Sequence, residues 1–79
     1  MTDYHCSIAS DYAVCRFAGY FFYFGYEETI DDEWAFVVKK SGKEIGRIKG
    51  SKLGWADDCD DCGEILLRGI ARFGNKFFT

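Results

Sequence analysis

The chain has no proline and only one histidine and one methionine among its 79 residues. Without proline-rich or low-complexity tracts, and with 48% hydrophobic residues, it is not a disordered segment. The lone imidazole, His5, lies near the start and gives little for acid–base chemistry. No G-x-x-x-x-G-K-[ST] loop, G-x-S-x-G elbow or H-E-x-x-H helix occurs. Thirteen acids make pairs of carboxylates cheap, so none nominates an acid and a base, and the expectation is a protein that is not an enzyme. The longest uncharged apolar stretch, Phe17 to Tyr26, is ten residues, well short of the ~20 of a membrane helix. The opening MTDYHCSIAS lacks the basic and apolar regions of a secretory signal. A cytoplasmic location is expected, with cysteines reduced by default.

What is present fits one domain, residues 1–79. A chain this short buries only about 60% of its unfolded surface, so its core needs supplementing. Aromatic residues, 19% of the chain, supply large buried areas, and four cysteines offer a staple or a metal site.

The net charge of −3 hides strong blocks. Five acids fall in Glu27–Glu33 (EETIDDE): Glu27, Glu28, Asp31, Asp32 and Glu33. Five more fall in 57–64 (DDCDDCGE): Asp57, Asp58, Asp60, Asp61 and Glu64. Six of the ten basic residues lie between Lys39 and Lys52. Such blocks mark partner surfaces or loop ends.

The clearest element comes last. Cys59, Cys62, Leu66, Gly69, Ile70, Phe73 and Phe77 follow the spacing of one helix face. The pattern predicts a helix over about 57–73, capped by Asp57 or Asp58 and ended by Gly74-Asn75. Before it, WAFVVK (34–39) and EIGRIK (44–49) form a hairpin about Ser41-Gly42, with Trp34, Phe36 and Val38 on one face. GYFFYFGY (19–26) is aromatic on both faces and reads as a central strand, with EETIDDE as a solvated link. Residues 10–18 fit either a short helix capped by Ser10 or Asp11, slightly preferred, or the beginning of the aromatic strand. The expected fold is α+β: a three-stranded antiparallel sheet packed against the C-terminal amphipathic helix, with a small N-terminal element.

Cys59-Asp-Asp-Cys62 is the one short motif with mechanistic meaning. A zinc site would need Cys6 with Cys15 or His5 as its second half, and C-x8-C is not the tight knuckle such sites use. Helical register turns both sulfurs inward as core, and the surrounding aspartates oppose a redox thiolate. An EF-hand frame from Asp58 fails, because Cys62 and Gly69 occupy ligand positions five and twelve. No cofactor is expected. A zinc- or thiol-dependent module remains the alternative, beside a nucleic-acid-binding hairpin that uses Lys39, Lys40, Lys43, Arg47, Lys49 and Lys52 near Trp34 and Trp55.

With EETIDDE and DDCDDCGE as acidic surfaces, no catalytic signature and a sheet-plus-helix pattern, the chain resembles the small phage-encoded anti-CRISPR inhibitors. The resemblance implies a monomeric inhibitor that binds a CRISPR effector complex and obstructs target DNA by imitating its charge. Its partner would be a protein with a basic nucleic-acid-binding surface, with no membrane and no direct nucleic-acid contact. The basic hairpin departs from a uniformly acidic DNA mimic and favours one acidic patch or an aromatic contact. The expected contact residues are the ten acids named above.

Overall fold

The computed structural model describes residues 5–55 and 61–77, with side chains described as far as Phe73. Five strands run in chain order: β1 (His5–Ile8), β2 (Tyr12–Phe17), β3 (Tyr20–Ile30), β4 (Glu33–Lys40) and β5 (Lys43–Lys49). They form one antiparallel meander, and a 3-10 turn (Gly50–Leu53) and one helix, α1 (Cys62–Phe77), complete the α+β fold.

The sheet therefore has five strands, where the sequence suggested three. Residues 12–17 are strand β2 and not a helix, because their burial alternates: Ala13 and Cys15 are buried, while Tyr12, Val14 and Arg16 point the other way. Ser10 and Asp11 belong to a three-residue loop closed by the Ala9 N–H donating to the Tyr12 carbonyl at 2.8 Å. The expected solvated link is also strand, since Glu27–Ile30 extend β3 and Glu33 opens β4. The hairpin of β4 and β5 turns at Ser41-Gly42 as expected, and β3 is the central strand.

Three connections are two-residue loops with positive φ at both positions: Ala18-Gly19 (53° and 82°), Asp31-Asp32 (51° and 65°) and Ser41-Gly42 (52° and 85°). This left-handed pair matches the twist of flanking strands, and glycine or aspartate tolerates it best. Two irregularities reshape the ladder. Tyr26–Glu28 bulge out of β3 between the Gly25–Ala35 and Thr29–Trp34 pairs, and Ile45 of β5 is skipped between Glu44 and Gly46.

One face of the sheet carries the core. Phe22, Phe24, Phe36, Val38, Ala13 and Cys15 meet Cys62, Ile65 and Leu66 of α1, and Trp34, Ile70 and Phe73 pack around them. Gly69 sits directly on the Phe36 ring, so that a Cβ there would overlap it. Phe24, Trp34 and Trp55 form a second ring cluster, with the two indoles stacked at 5.3 Å.

The helix face read from the sequence is present from Cys62 to Phe73, with Ile65 added, but its ends differ. Asp61 precedes the helix and caps it, its Oδ1 accepting the Glu64 N–H at 3.3 Å. Asp57, Asp58, Asp60 and Cys59 lie outside the described residues. The helix also runs through Gly74-Asn75 to Phe77 instead of ending there. Arg68 ties it to the 3-10 turn, donating to the Leu53 carbonyl at 3.1 Å and to Glu64 at 2.9 Å.

Cys6 and Cys15, read by default as reduced thiols, are joined in a disulfide. The register of β1 on β2 places them directly opposite one another, so closure needs no backbone movement. Among the described residues, no helix is long and apolar enough to cross a membrane.

Candidate functional site

The meander gathers the acids of EETIDDE at one end of the sheet and part of the basic block, Lys39, Lys40 and Lys43, at the other. The β1–β2 loop, the β3 bulge and the β3–β4 turn lie at one end, and the β2–β3 and β4–β5 turns at the other. Asp11, Glu27, Glu28, Asp31, Asp32 and Glu33 gather at the first end. The second end holds His5, Arg16, Lys39, Lys40 and Lys43.

At the acidic end, several predicted contact residues are committed to internal bonds. Glu28 reaches from the bulge to Arg47 at 3.2 Å and Lys39 at 3.8 Å. The Arg47 pair spans β4, and beneath it Ala35 and Val37 are fully buried even though, among the described residues, no second layer covers this face. Arg47 also holds Glu44 at 2.6 Å, which keeps the Glu44 carboxyl below its usual pKa and the guanidinium above its own. Asp31 pairs with Lys49 at 2.8 Å, and this hydrogen bond lowers its pKa. Glu33 accepts the Ser51 N–H at 3.0 Å, and its pKa is likewise lowered, first by the Ser51 side chain and then by this N–H. Asp61 is the helix cap, and Glu64 pairs with Arg68.

Asp11, Glu27 and Asp32 are exposed and make no ion pair among the described residues. Between the first two stands Tyr26, 50% exposed, whose N–H donates to the Asp11 carbonyl at 3.3 Å. The Tyr26 hydroxyl is pushed above its ordinary pKa, chiefly by the Glu27 charge and hydrogen bond and, more weakly, by Asp11. The bulge is pinned from below, because the Glu27 N–H donates to the Tyr23 hydroxyl at 3.1 Å. A tyrosine set among carboxylates that hold no cation combines an apolar anchor with negative charge. Asp11 and Tyr26 were not named as contact residues from the sequence; the loop-to-bulge contact is what brings Asp11 beside Tyr26 and Glu27.

The basic end is built differently. His5, Arg16, Phe21 and Lys39 are successive cross-strand partners on the face away from the helix. They line a cleft of about 630 Å³ together with Phe17 and Tyr20, and among the described residues no acid lines it. Lys40 is turned elsewhere, donating to the Ala18 carbonyl at 2.8 Å and lying over the Tyr20 ring at 4.1 Å. The hairpin reading is corrected in one respect: Trp34 and Trp55 pack into the helix-side cluster and do not accompany the lysines.

The cysteines separate as well. Cys6 and Cys15 are bonded to each other and so are withdrawn from any shared ligand set, while the Cys62 thiol is buried beside the Ser10 carbonyl at 3.8 Å.

No family model, curated protein or solved structure matches the chain.

Proposed function

We propose that the protein is a non-enzymatic, monomeric protein-binding inhibitor of the anti-CRISPR type, acting in the host cytoplasm. It occludes the nucleic-acid-binding surface of a CRISPR effector complex with its acidic end. The observation that carries this reading is the grouping of Tyr26 with the unpaired carboxylates of Asp11, Glu27 and Asp32 at one end of the sheet. Exposed carboxylates steer association with a basic surface, and a protruding tyrosine supplies the desolvated contact that holds it. The contact set is narrower than the ten acids of the sequence, because Glu28, Asp31, Glu33 and Glu64 already hold cations or backbone donors. Asp61 contributes its charge at the helix start as well as its cap.

The test is target-DNA binding by purified CRISPR effector complexes, measured with and without the protein. Salt-sensitive inhibition by the native chain is expected, weakened at least about tenfold by E27K/D32K and by Y26A. The neutralisation E28Q, at a carboxylate already held by Arg47, should change it little. If no effector complex responds, or if the reversals leave inhibition intact, the reading fails. In a reducing cytoplasm the Cys6–Cys15 pair would be open for much of its life, so inhibition must persist with reductant present.

A further inference from the structure

The cleft at the basic end plays no part in that reading. It is defined by the row His5–Arg16–Phe21–Lys39, which crosses β1, β2, β3 and β4 in register. Neighbouring strands lie about 4.8 Å apart, so the Arg16 and Lys39 backbones flank Phe21 at roughly 10 Å from each other. An aromatic ring therefore stands midway between two cations, with an imidazole beyond one of them.

The ring surface continues past Phe21. Phe21 and Tyr23 are nearly parallel, 6° apart with centroids 6.5 Å apart, and Tyr23 and Tyr12 follow at 15° and 6.4 Å. Arg16 lies over Phe21 with its guanidinium carbon 5.6 Å from the centroid, and it makes no ion pair among the described residues. Lys39 is shared only loosely with Glu28, at 3.8 Å. Guanidinium and phenyl planes both stack on flat rings, and unpaired cations beside them attract anions. The volume lies within the usual range for small-ligand sites.

We propose that this row binds a phosphorylated planar ring, a nucleotide, with the base stacked on Phe21 and the phosphate held between Arg16 and Lys39. The bulge Tyr26–Glu28 borders the ring row, and its Glu28 carboxylate already meets Lys39 at 3.8 Å, so the phosphate enters from the Arg16 side and displaces that loose pair. The ligand can come from two sources, a free nucleotide or the end of a single strand.

The experiment is an amide-shift NMR titration of the full chain with adenosine monophosphate, adenosine, inorganic phosphate and a short single-stranded oligonucleotide. Adenosine monophosphate should saturate, with shifts centred on Arg16, Phe21 and Lys39, and should bind at least about tenfold tighter than adenosine or phosphate alone. R16Q and K39Q should each weaken it about tenfold, and F21L should weaken both adenosine monophosphate and adenosine. K43Q, a cation outside the cleft, should leave affinity within about twofold. The oligonucleotide competing at the same residues identifies a strand end as the source, and its failure to compete identifies the free nucleotide. No saturable shift up to about 5 mM overturns the proposal. So does phosphate binding as tightly as the nucleotide, or K43Q costing as much as R16Q. The charge reversal D32K sits in the β3–β4 turn at the opposite end, so the inhibitor reading and this one fail separately.

Discussion

Replacing Gly69 with alanine sets two opposed effects against each other in the same helix. Alanine in a helix interior gains about 1 kcal/mol over glycine. At this position, however, the new Cβ would sit 2.5 Å from Phe36 Cε1 and 2.7 Å from Cγ, with Cδ1 closer still. The ring cannot step aside easily: Phe36 is fully buried, with Phe22 at 6.3 Å and Phe73 at 5.4 Å. Overpacking of this kind costs about 1–3 kcal/mol, and contact with three ring carbons puts it toward the upper end. The expected net loss is about 1–2 kcal/mol, or roughly 5–15 °C in Tm for a domain of this size. Urea unfolding followed by tryptophan fluorescence measures it, with Trp34 and Trp55 as reporters. The F36L/G69A double variant should recover part of the loss, giving a coupling of about 1 kcal/mol that places the clash on this pair. If G69A is as stable as the native chain, or more stable by the propensity gain, the close approach of helix and sheet is wrong.

Other outcomes follow from the same contacts. Opening Cys6–Cys15, with its separation of nine residues, should lower stability by about 2.5 kcal/mol on the loop-entropy estimate. Hydrogen exchange should then show protection falling first in β1, all four residues of which are exposed; unchanged protection under reductant would refute it. Asp31, Glu33 and Glu44 all have pKa values lowered by partners made on folding. A depressed folded pKa gives stability that is present above the unfolded value and lost as pH falls through the folded one, so stability should drop below about pH 4. D31N should flatten part of that slope in acid titrations of Tm, and an unchanged slope would count against the Lys49 pair. D61A removes the described helix cap and should cost about 1 kcal/mol by denaturant midpoint, whereas D11A, at an exposed side chain without such a bond, should cost much less.

The sequence by itself determined whatever rests on local pattern. Period-two alternation in WAFVVK put Trp34, Phe36 and Val38 on one face, and the helical spacing from Cys62 to Phe73 put Leu66, Gly69 and Ile70 on the buried stripe. The Ser41-Gly42 turn was legible because few residue pairs accept two left-handed conformations. Residues 12–17 were not legible: Tyr12 and Val14 make the outward face as apolar as the inward Ala13 and Cys15, which erases the alternation. Only pairing with β1 and β3 decides strand there. Pairing also decided the site. Register alone joins Arg16, Phe21 and Lys39 into one row, opposes Cys6 to Cys15, and sets Asp11 beside Tyr26 and Glu27. The acids of EETIDDE were visible as a block, but which of them stay free depended on where β5 delivered Arg47 and Lys49. Composition fixes how much charge a chain carries; the fold decides how much of it remains unpaired.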